Sequence, residues 1–274
     1  MVDLTGKIAL VTGAGRGIGR RAALRLAERG ARIALISRTE SELAETAREI
    51  TRRGGEAVAI PADVASPQSI DAAKAEIEIR LGRPTILINA AGVFGPIHLV
   101  WKTDPAAWIA TIMVNTIGPY LTCRAFVEGM MDNGWGRIIN VTSAAALHEP
   151  GPINSAYGAS KAALNQFTRH LATEVAGTGV TVNVIHPGDV KTEMWADIRD
   201  KVQGLGAVAS RYVEWVDWVQ RTGGDDPEKA SDLIEALLTP SAAEINGRFL
   251  WIKDGLQSPI PSWGAFKPAE AWQD

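Results

Sequence analysis

The octapeptide TGAGRGIG, residues 12 to 19, decides how this chain folds, because it joins an apolar run to an amphipathic segment. Its glycines follow the pattern T-G-x-x-x-G-x-G rather than G-x-G-x-x-G, since Ile18 stands at the sixth position from Gly13. Residues without a Cβ let the backbone turn sharply and approach a pyrophosphate, whose charge meets the N-terminus of the following helix. A purely structural turn is the alternative. The strand-like run before it and the helical pattern after it favour a dinucleotide-binding loop made by Thr12, Gly13, Arg16, Gly17, Ile18 and Gly19.

Apolar runs typical of buried parallel strands recur along the chain. There are seven of them: IALVTG (8 to 13), RIALISR (32 to 38), AVAIPADV (57 to 64), TILINAAG (85 to 92), RIINVTS (137 to 143), VTVNVIHPG (180 to 188) and RFLWIKDG (248 to 255). Helical patterns fill the intervals, two of them opened by Ser66 and Asp104, each followed by proline. This alternation predicts a doubly wound α/β fold, with a parallel Rossmann-like sheet of about seven strands and helices on both faces.

Two segments interrupt the alternation. Residues 189–226 have mixed helical character and are rich in aromatic side chains, among them Trp195, Tyr212, Trp215 and Trp218. Residues 256–274, LQSPIPSWGAFKPAEAWQD, have the composition of an irregular tail. Because the sequence contains neither a Pro/Gly/Ser-rich linker nor an internal repeat, we expect one domain over residues 1–255 followed by this tail.

Composition argues against several classes of function. The 274 residues are 46% hydrophobic, with a net charge of −3 and a mean hydropathy of +0.01, and neither sign of charge forms a long block. We therefore expect no nucleic-acid partner and no membrane association. Cys123 is the single cysteine, which fits a reducing, cytosolic location. We expect no metal site, because the four histidines lie far apart and form no ligand pattern: His98, His148, His170 and His186.

The end of the second apolar run predicts which dinucleotide binds. An acidic residue there would accept hydrogen bonds from an adenosine 2′-hydroxyl, but this run ends with Ser37 and Arg38. An arginine offers a 2′-phosphate a forked, permanently charged donor, and Arg16 lies in the glycine loop to approach it from the other side. These residues favour NADP(H) over NAD(H). The alternative is that both arginines are solvated surface charges and that Glu40 neutralises Arg38.

Three polar residues suggest proton transfer coupled to hydride transfer. Ser143 ends the fifth apolar run, where open α/β sheets bind ligands. Tyr157 follows in SAYGASK, where we expect it to begin the exposed turn of a helix, with Lys161 one turn later on the same face. A phenol has a pKa of about 10, and a nearby ammonium lowers it by stabilising the phenolate. Ser143 would orient the substrate oxygen. The alternative for Tyr157 and Lys161 is a packing stripe, which the spacing of Leu164, Thr168 and Leu171 also fits.

Taken in this order, the motifs resemble the short-chain dehydrogenase/reductase superfamily over nearly the whole chain. The resemblance implies catalytic roles for Asn115, Ser143, Tyr157 and Lys161, with Tyr157 and Lys161 also touching the cofactor. It implies adenine contacts from Asp63 and Val64. The family's N-N-A-G stands here as Asn89, Ala90, Ala91 and Gly92, a departure at the second position. We therefore assign only Asn89 and Gly92 of this motif to the cofactor site. Contacts to the nicotinamide are implied for Pro187, Gly188, Val190 and Thr192.

The resemblance also bears on the reaction. It implies a homotetramer or dimer acting on alcohols and carbonyl compounds, since the Tyr–Lys spacing is not that of enoyl thioester reductases. It places residues 189–226 over the substrate, where Trp195 and the other aromatic side chains would form an apolar wall; the alternative is that they are core and subunit-contact residues. It places His148 and Glu149 in a loop beside the substrate, with a solvated loop as the alternative. Two alternatives remain open: an NAD(H)-dependent alcohol dehydrogenase of the same fold, and a non-catalytic NADP(H)-binding regulator.

Overall fold

A computed structural model describes residues 1–147 and 149–252, and its centre is one parallel sheet. The seven strands lie in the order β3-β2-β1-β4-β5-β6-β7, and every neighbouring pair is parallel. They are β1 (Ile8–Thr12), β2 (Arg32–Ser37), β3 (Ala57–Pro61), β4 (Ile86–Asn89), β5 (Gly136–Val141), β6 (Val180–His186) and β7 (Phe249–Trp251). The predicted doubly wound fold and its seven strands are confirmed. The order reverses beside β1, so the carboxyl ends of β1 and β4 flank the crevice in which such sheets bind ligands.

Helices cover both faces of the sheet. They are α1 (Gly17–Glu28), α2 (Glu40–Arg52), α3 (Pro67–Arg80), α4 (Pro105–Ile112), α5 (Gly118–Asp132), α6 (Ser155–Glu174), α7 (Glu193–Val202), α8 (Ser210–Thr222) and α9 (Glu228–Leu237). The two predicted helix starts are confirmed: Ser66 Oγ accepts from Ser69 N, and Asp104 accepts from the amides of Ala106 and Ala107. Within residues 1–147 and 149–252, no helix is both long and apolar enough to span a bilayer.

Two apolar cores lie on the two faces of the sheet, because its strands are buried on both sides. A third, smaller cluster is separate from them and belongs to the segment at 189–226, whose helices α7 and α8 pack against each other. Ile97 and Ile153 join this cluster from the loops that follow β4 and β5. The segment is thereby fixed over the carboxyl edge of the sheet. The predicted tail at 256–274 lies outside the described residues.

Candidate active site

The glycine loop between β1 and α1 is shaped by close backbone approaches. Gly13 has a φ of +65°, and a Cβ there would lie 2.8 Å from Ala91 Cα. A Cβ at Gly19 would lie 2.3 Å from the carbonyl oxygen of Gly13. Side chains at either position would force β1, β4 and α1 apart. Arg16, at the N-cap of α1, makes no side-chain cap, and the first turn contains no acid. The amides and positive end of this helix are therefore suited to an anion.

A cavity of about 530 Å³ lies against this loop. Gly15, Arg16 and Gly17 line one side, and residues 190–193 line another. The predicted nicotinamide contacts at Val190 and Thr192 thus lie across the cavity from the predicted phosphate loop. Val190 forms an antiparallel bridge with Gly224, and Thr192 caps α7 through Trp195 N. Pro187 and Gly188 precede this segment directly after β6.

The predicted adenosine end of the site is more acidic than the sequence analysis anticipated. Arg38 is exposed at the tip of β2, and among the described residues no ion pair joins it to Glu40. A carboxylate does lie nearby, that of Glu42 in the first turn of α2. Its Oε1 is 4.0 Å from Arg16 Nη1. Ser37 Oγ accepts from Thr39 N. Two more predicted residues follow β3: Asp63, which accepts from Ala65 N, and Val64, which is buried against Gly118.

Ser143, Tyr157 and Lys161 meet between the end of β5 and the start of α6. The Ser143 hydroxyl is hydrogen-bonded to the Tyr157 phenol, and the Lys161 ammonium lies 5.7 Å from the centre of the Tyr157 ring. Lys161 Nζ donates to the carbonyl of Val141 at 2.8 Å. The expectation of an exposed turn was wrong, because Tyr157 is only 9% exposed and Lys161 4%. The helix face that contains Tyr157 and Lys161 does pack onto the sheet, as the alternative interpretation predicted. The two polar residues lie at the end of this face nearest the crevice.

Burial sets the charges of this cluster. It raises the pKa of Tyr157 to about 12, a shift that the Ser143 hydrogen bond opposes and the negative charge of Asp189 reinforces. It also lowers the pKa of Lys161 to about 8. The phenol pKa was expected to fall beside the ammonium, but burial raises it. At neutral pH the phenol is protonated and the lysine is mostly charged, an arrangement suited to donating a proton.

Asn115 lies in a π-helical turn, Met113–Ile117, between α4 and α5. Its side chain is fully buried, with Oδ1 accepting from Val93 N and Nδ2 donating to Val93 O and to Ser160 Oγ. A Cβ built on Gly92 would lie 3.4 Å from Asn115 Oδ1 and 3.7 Å from Lys161 Nζ. The asparagine and the lysine therefore flank Gly92. The sequence analysis did not predict the π turn, although such bulges recur at functional sites.

Two of the predicted cofactor residues support the site from beneath with their side chains. Asn89 is 2% exposed and is hydrogen-bonded to Asn140 and Thr122. The Thr12 hydroxyl accepts from Ala91 N and so ties β1 to the loop after β4. Both side chains hold the ends of neighbouring strands in register at the crevice.

An aromatic wall adjoins the phenol. The Phe94 ring lies 4.7 Å from that of Tyr157 between centroids, and Tyr212 of α8 meets Phe94 edge-on at 5.9 Å. Phe94 was not predicted, because nothing in the loop pattern shows that it stacks on a residue 63 positions later. The predicted substrate residue Trp195 is 3% exposed, packed in the α7–α8 cluster between the cations of Lys191 and Arg199. Phe94 and Tyr212 pack against the same apolar cluster. His148 lies outside the described residues.

Comparison with known proteins identifies the family. The family model described as short chain dehydrogenase matches residues 7–203. The chain belongs to the short-chain dehydrogenase family. This short-chain dehydrogenase is 36% identical over 255 residues to galactitol 2-dehydrogenase (L-tagatose-forming) of Cereibacter sphaeroides, covering 92% of this chain and 95% of the relative. The resemblance predicted from the motifs is confirmed, and the protein is an oxidoreductase of the type that acts on alcohols and ketones.

Solved structures of similar fold carry either cofactor. A single-substitution variant of actinorhodin polyketide ketoreductase with NADPH superimposes with a TM-score of 0.83 at 29% identity, covering 92% of this chain and 97% of that one. NAD⁺-bound xylitol dehydrogenase also gives a TM-score of 0.83, at 26% identity, covering 92% of this chain and 99% of that one. The family therefore establishes a nicotinamide cofactor, and the choice between the two forms depends on this chain's own residues.

Proposed function

We propose that this short-chain dehydrogenase interconverts a secondary alcohol and its ketone, or an alcohol and its aldehyde, using NADP(H), with Tyr157 as the acid and base. The observation that carries the proposal is the buried contact of Ser143, Tyr157 and Lys161 at the carboxyl edge of the sheet. A phenol held between a hydroxyl and an ammonium is suited to moving one proton at a reacting oxygen.

The residues around the crevice fit a dinucleotide. The glycine loop and the uncapped start of α1 would hold the pyrophosphate, because their amides have no competing side-chain acceptor at the N-cap. The nicotinamide end would lie among Gly92, Pro187, Gly188, Val190 and Thr192, with Lys161 at the ribose. When bound, the nicotinamide supplies or accepts the hydride. Every other step belongs to side chains of this chain.

In the reductive direction Tyr157 would give its proton to the alkoxide that forms as the carbonyl is reduced. The raised pKa of Tyr157 keeps that proton in place at neutral pH. Lys161 would then stabilise the phenolate left behind, since its ammonium lies 5.7 Å from the ring centre. Ser143 would donate to the substrate oxygen and hold it near the phenol. Asn115 would position Val93 and the adjoining loop through its three hydrogen bonds.

Arg16 and Arg38 support NADP(H) over NAD(H). Both are exposed on the adenosine side of the glycine loop, and a 2′-phosphate is the feature that distinguishes the two cofactors. An NAD(H)-dependent reaction is the second candidate, and it is favoured by a specific observation. Glu42 places a carboxylate beside Arg16, within the same part of the site.

The aromatic wall supports a substrate with apolar substituents on its carbonyl carbon. Phe94 and Tyr212 are half-buried and stand beside the phenol, so a substrate oxygen at Tyr157 would bring its neighbouring carbons against these rings. The galactitol enzyme's polyol is a contrasting substrate type, and comparing ring-bearing ketones with sugars tests this assignment directly.

We also propose a cytosolic homo-oligomer, a tetramer or dimer. Large apolar side chains are exposed on neighbouring helices, with Ile109 of α4 at 56% and Tyr120 of α5 at 44%. The one cysteine, Cys123, is buried and free, as suits a reducing compartment. Sedimentation should give two or four times the chain mass of 29.3 kDa. A species of one chain mass at micromolar concentration would contradict the oligomer.

The proposal is tested by following reduced-cofactor consumption against aldehydes, aliphatic ketones, cyclic ketones and sugars, with the matching alcohols assayed in the presence of NADP⁺. We expect turnover of a carbonyl substrate with a lower KM for NADPH than for NADH. An equal or lower KM for NADH would overturn the cofactor assignment. Tight cofactor binding without turnover of any substrate would favour a regulatory protein instead.

A further inference from the structure

The side chain of Glu42 occupies the space between the glycine loop and the tip of β2. A Cβ built on Gly15 would lie 2.8 Å from both Cβ and Oε2 of Glu42, and 3.4 Å from Ser37 Oγ. Glu42 lies in the first turn of α2, where the helix dipole favours a negative charge. Its carboxylate therefore lies against the glycine loop, at the end where an adenosine ribose would approach.

Arg16 and Arg38 differ in their ion pairing. Arg16 Nη1 lies 4.0 Å from Glu42 Oε1, with the two side chains 58% and 36% exposed. Arg38 makes no ion pair with any residue in the ranges 1–147 and 149–252. One of the two arginines assigned to a 2′-phosphate thus has an acidic partner and the other has none. The site combines a donor set for a phosphate with an acceptor for a hydroxyl.

We propose that Glu42 determines how strongly the enzyme discriminates between NADP(H) and NAD(H). A carboxylate at this position repels a 2′-phosphate and accepts a hydrogen bond from a 2′-hydroxyl, and it competes with the phosphate for Arg16. It therefore offsets the preference that Arg16 and Arg38 create. The inference rests on the proposed function in one respect, that a dinucleotide lies along the glycine loop.

The chain offers a matched control. Arg20 and Glu45 form the same kind of pair between α1 and α2, also at 4.0 Å. They lie one turn further along both helices, away from Gly15 and Ser37. The change Glu45→Gln removes an equivalent charge and an equivalent ion pair without altering the ribose end of the site. Glu193 faces the other side of the loop, near Gly17, where the two cofactors are chemically the same.

The test is fluorescence titration of NADPH and of NADH into the full-length wild type, Glu42→Gln and Glu45→Gln, which needs no substrate. In Glu42→Gln we expect the Kd for NADPH to fall roughly tenfold, the size of effect for like charges a few ångströms apart near a surface. The Kd for NADH should stay the same or rise. In Glu45→Gln both constants should stay within about twofold of the wild type, because an exposed pair contributes little.

Three results would overturn the inference: no change in the NADPH/NADH ratio in Glu42→Gln, weaker NADPH binding in that variant, or the same ratio change in Glu45→Gln. Weaker binding would mean that Glu42 holds Arg16 in place for the phosphate. A wild type that binds NADH more tightly would contradict the proposed NADP(H) preference. The role of Glu42 would still be judged by how the ratio of the two Kd values changes between wild type and Glu42→Gln. Failure of the NADP(H) preference and failure of the Glu42 proposal are therefore distinguishable.

Discussion

Lys161 is a buried ammonium whose charge depends on pH in the range where the enzyme would work. Burial lowers its pKa to about 8, and its ammonium donates to a neutral acceptor, the carbonyl oxygen of Val141. Below pH 8 the positive charge is present and would stabilise the phenolate that the proposed proton transfer leaves on Tyr157. Above pH 8 that charge is lost. The same residue that holds the site together thus supplies its charge only on the acid side of pH 8.

The first prediction concerns this titration. Carbonyl reduction by the wild type should fall as the pH rises through about 8, because Lys161 loses its proton there. The measurement is kcat against pH from 6 to 10 at saturating cofactor. Lys161→Arg provides the control, since a guanidinium stays charged over this range, and the residual activity of the variant should not fall near pH 8. A wild-type profile that is flat to pH 10 would contradict the role of Lys161.

The proposed catalytic residues Ser143, Tyr157 and Lys161 could be located from the sequence because each stands near the end of an element that the sequence itself marks. Ser143 follows an apolar run, and Tyr157 and Lys161 open the next helix. Phe94 was not predictable, since its contact with Tyr157 depends on how the loop after β4 packs over α6. Glu42 was missed for a similar reason. Sequence proximity pointed to Glu40, whereas the helix turns Glu42 toward the glycine loop.

At the scale of elements, the turn from β1 into α1 packs directly against the loop after β4. A Cβ at Gly13 would meet the backbone of Ala91 at 2.8 Å. Gly134, in the turn before β5, has almost the same φ, +64° against +65°, and a Cβ there would meet nothing within 4 Å. Comparing alanine substitutions at the two positions therefore separates the free-energy cost of a left-handed backbone from that of a steric clash.

The second prediction follows from this pair. Gly134→Ala should lower the free energy of unfolding by about 1–2 kcal/mol, the cost of a left-handed conformation with a Cβ. Gly13→Ala should lower it by about 1–3 kcal/mol more, because a backbone must also move, and should weaken cofactor binding. Urea unfolding of both variants provides the measurement. Equal losses of stability would show that the close approach to Ala91 carries no cost.

Helices α1 and α9 are joined by an ion-pair network that the sequence pattern could not show, since its partners lie more than 200 positions apart. Glu235 is 8% exposed and accepts from Arg25, Arg29 and the amide of Val2. Burial acts to raise the Glu235 pKa, but the hydrogen bonds from Arg29, Val2 and Arg25 outweigh it and leave the pKa lowered. This network fixes α9, and with it the chain leading to β7.

The third prediction is that Glu235→Gln lowers the free energy of unfolding at pH 7 by about 1–3 kcal/mol, because it leaves the partly buried Arg29 without its acidic partner and removes one of the acids paired with Arg25. A lowered pKa stabilises the fold above the unfolded value of about 4.3 and loses that contribution as the pH falls through the folded value. Wild type and variant should therefore converge in stability as the pH falls through the lowered folded-state pKa of Glu235. Asp232→Asn is the control: this side chain is 61% exposed, and we expect a loss under about 1 kcal/mol. A pH-independent difference would contradict the linkage.

At the scale of the whole molecule, the parallel sheet brings together groups that are far apart in the chain. The glycine loop ends β1, Gly92 follows β4, Ser143 follows β5, and the segment at 189–226 follows β6. Because every strand runs the same way, all of these ends lie on one edge. The seven strands and the order of motifs along them were predictable from apolar runs. The family resemblance placed the 189–226 segment over the substrate, but the packing that holds it there was not predictable, since it depends on an apolar cluster shared with the loops after β4 and β5.

The central claim, that Tyr157 transfers the proton, is tested most directly by Tyr157→Phe. The substitution removes the phenol oxygen and keeps the ring that packs on Phe94. We predict that kcat for the best carbonyl substrate falls roughly 10²–10⁴-fold, while the Kd for NADPH and the thermal unfolding midpoint stay close to those of the wild type. A variant that binds NADPH normally and reduces the substrate at the wild-type rate would contradict the account.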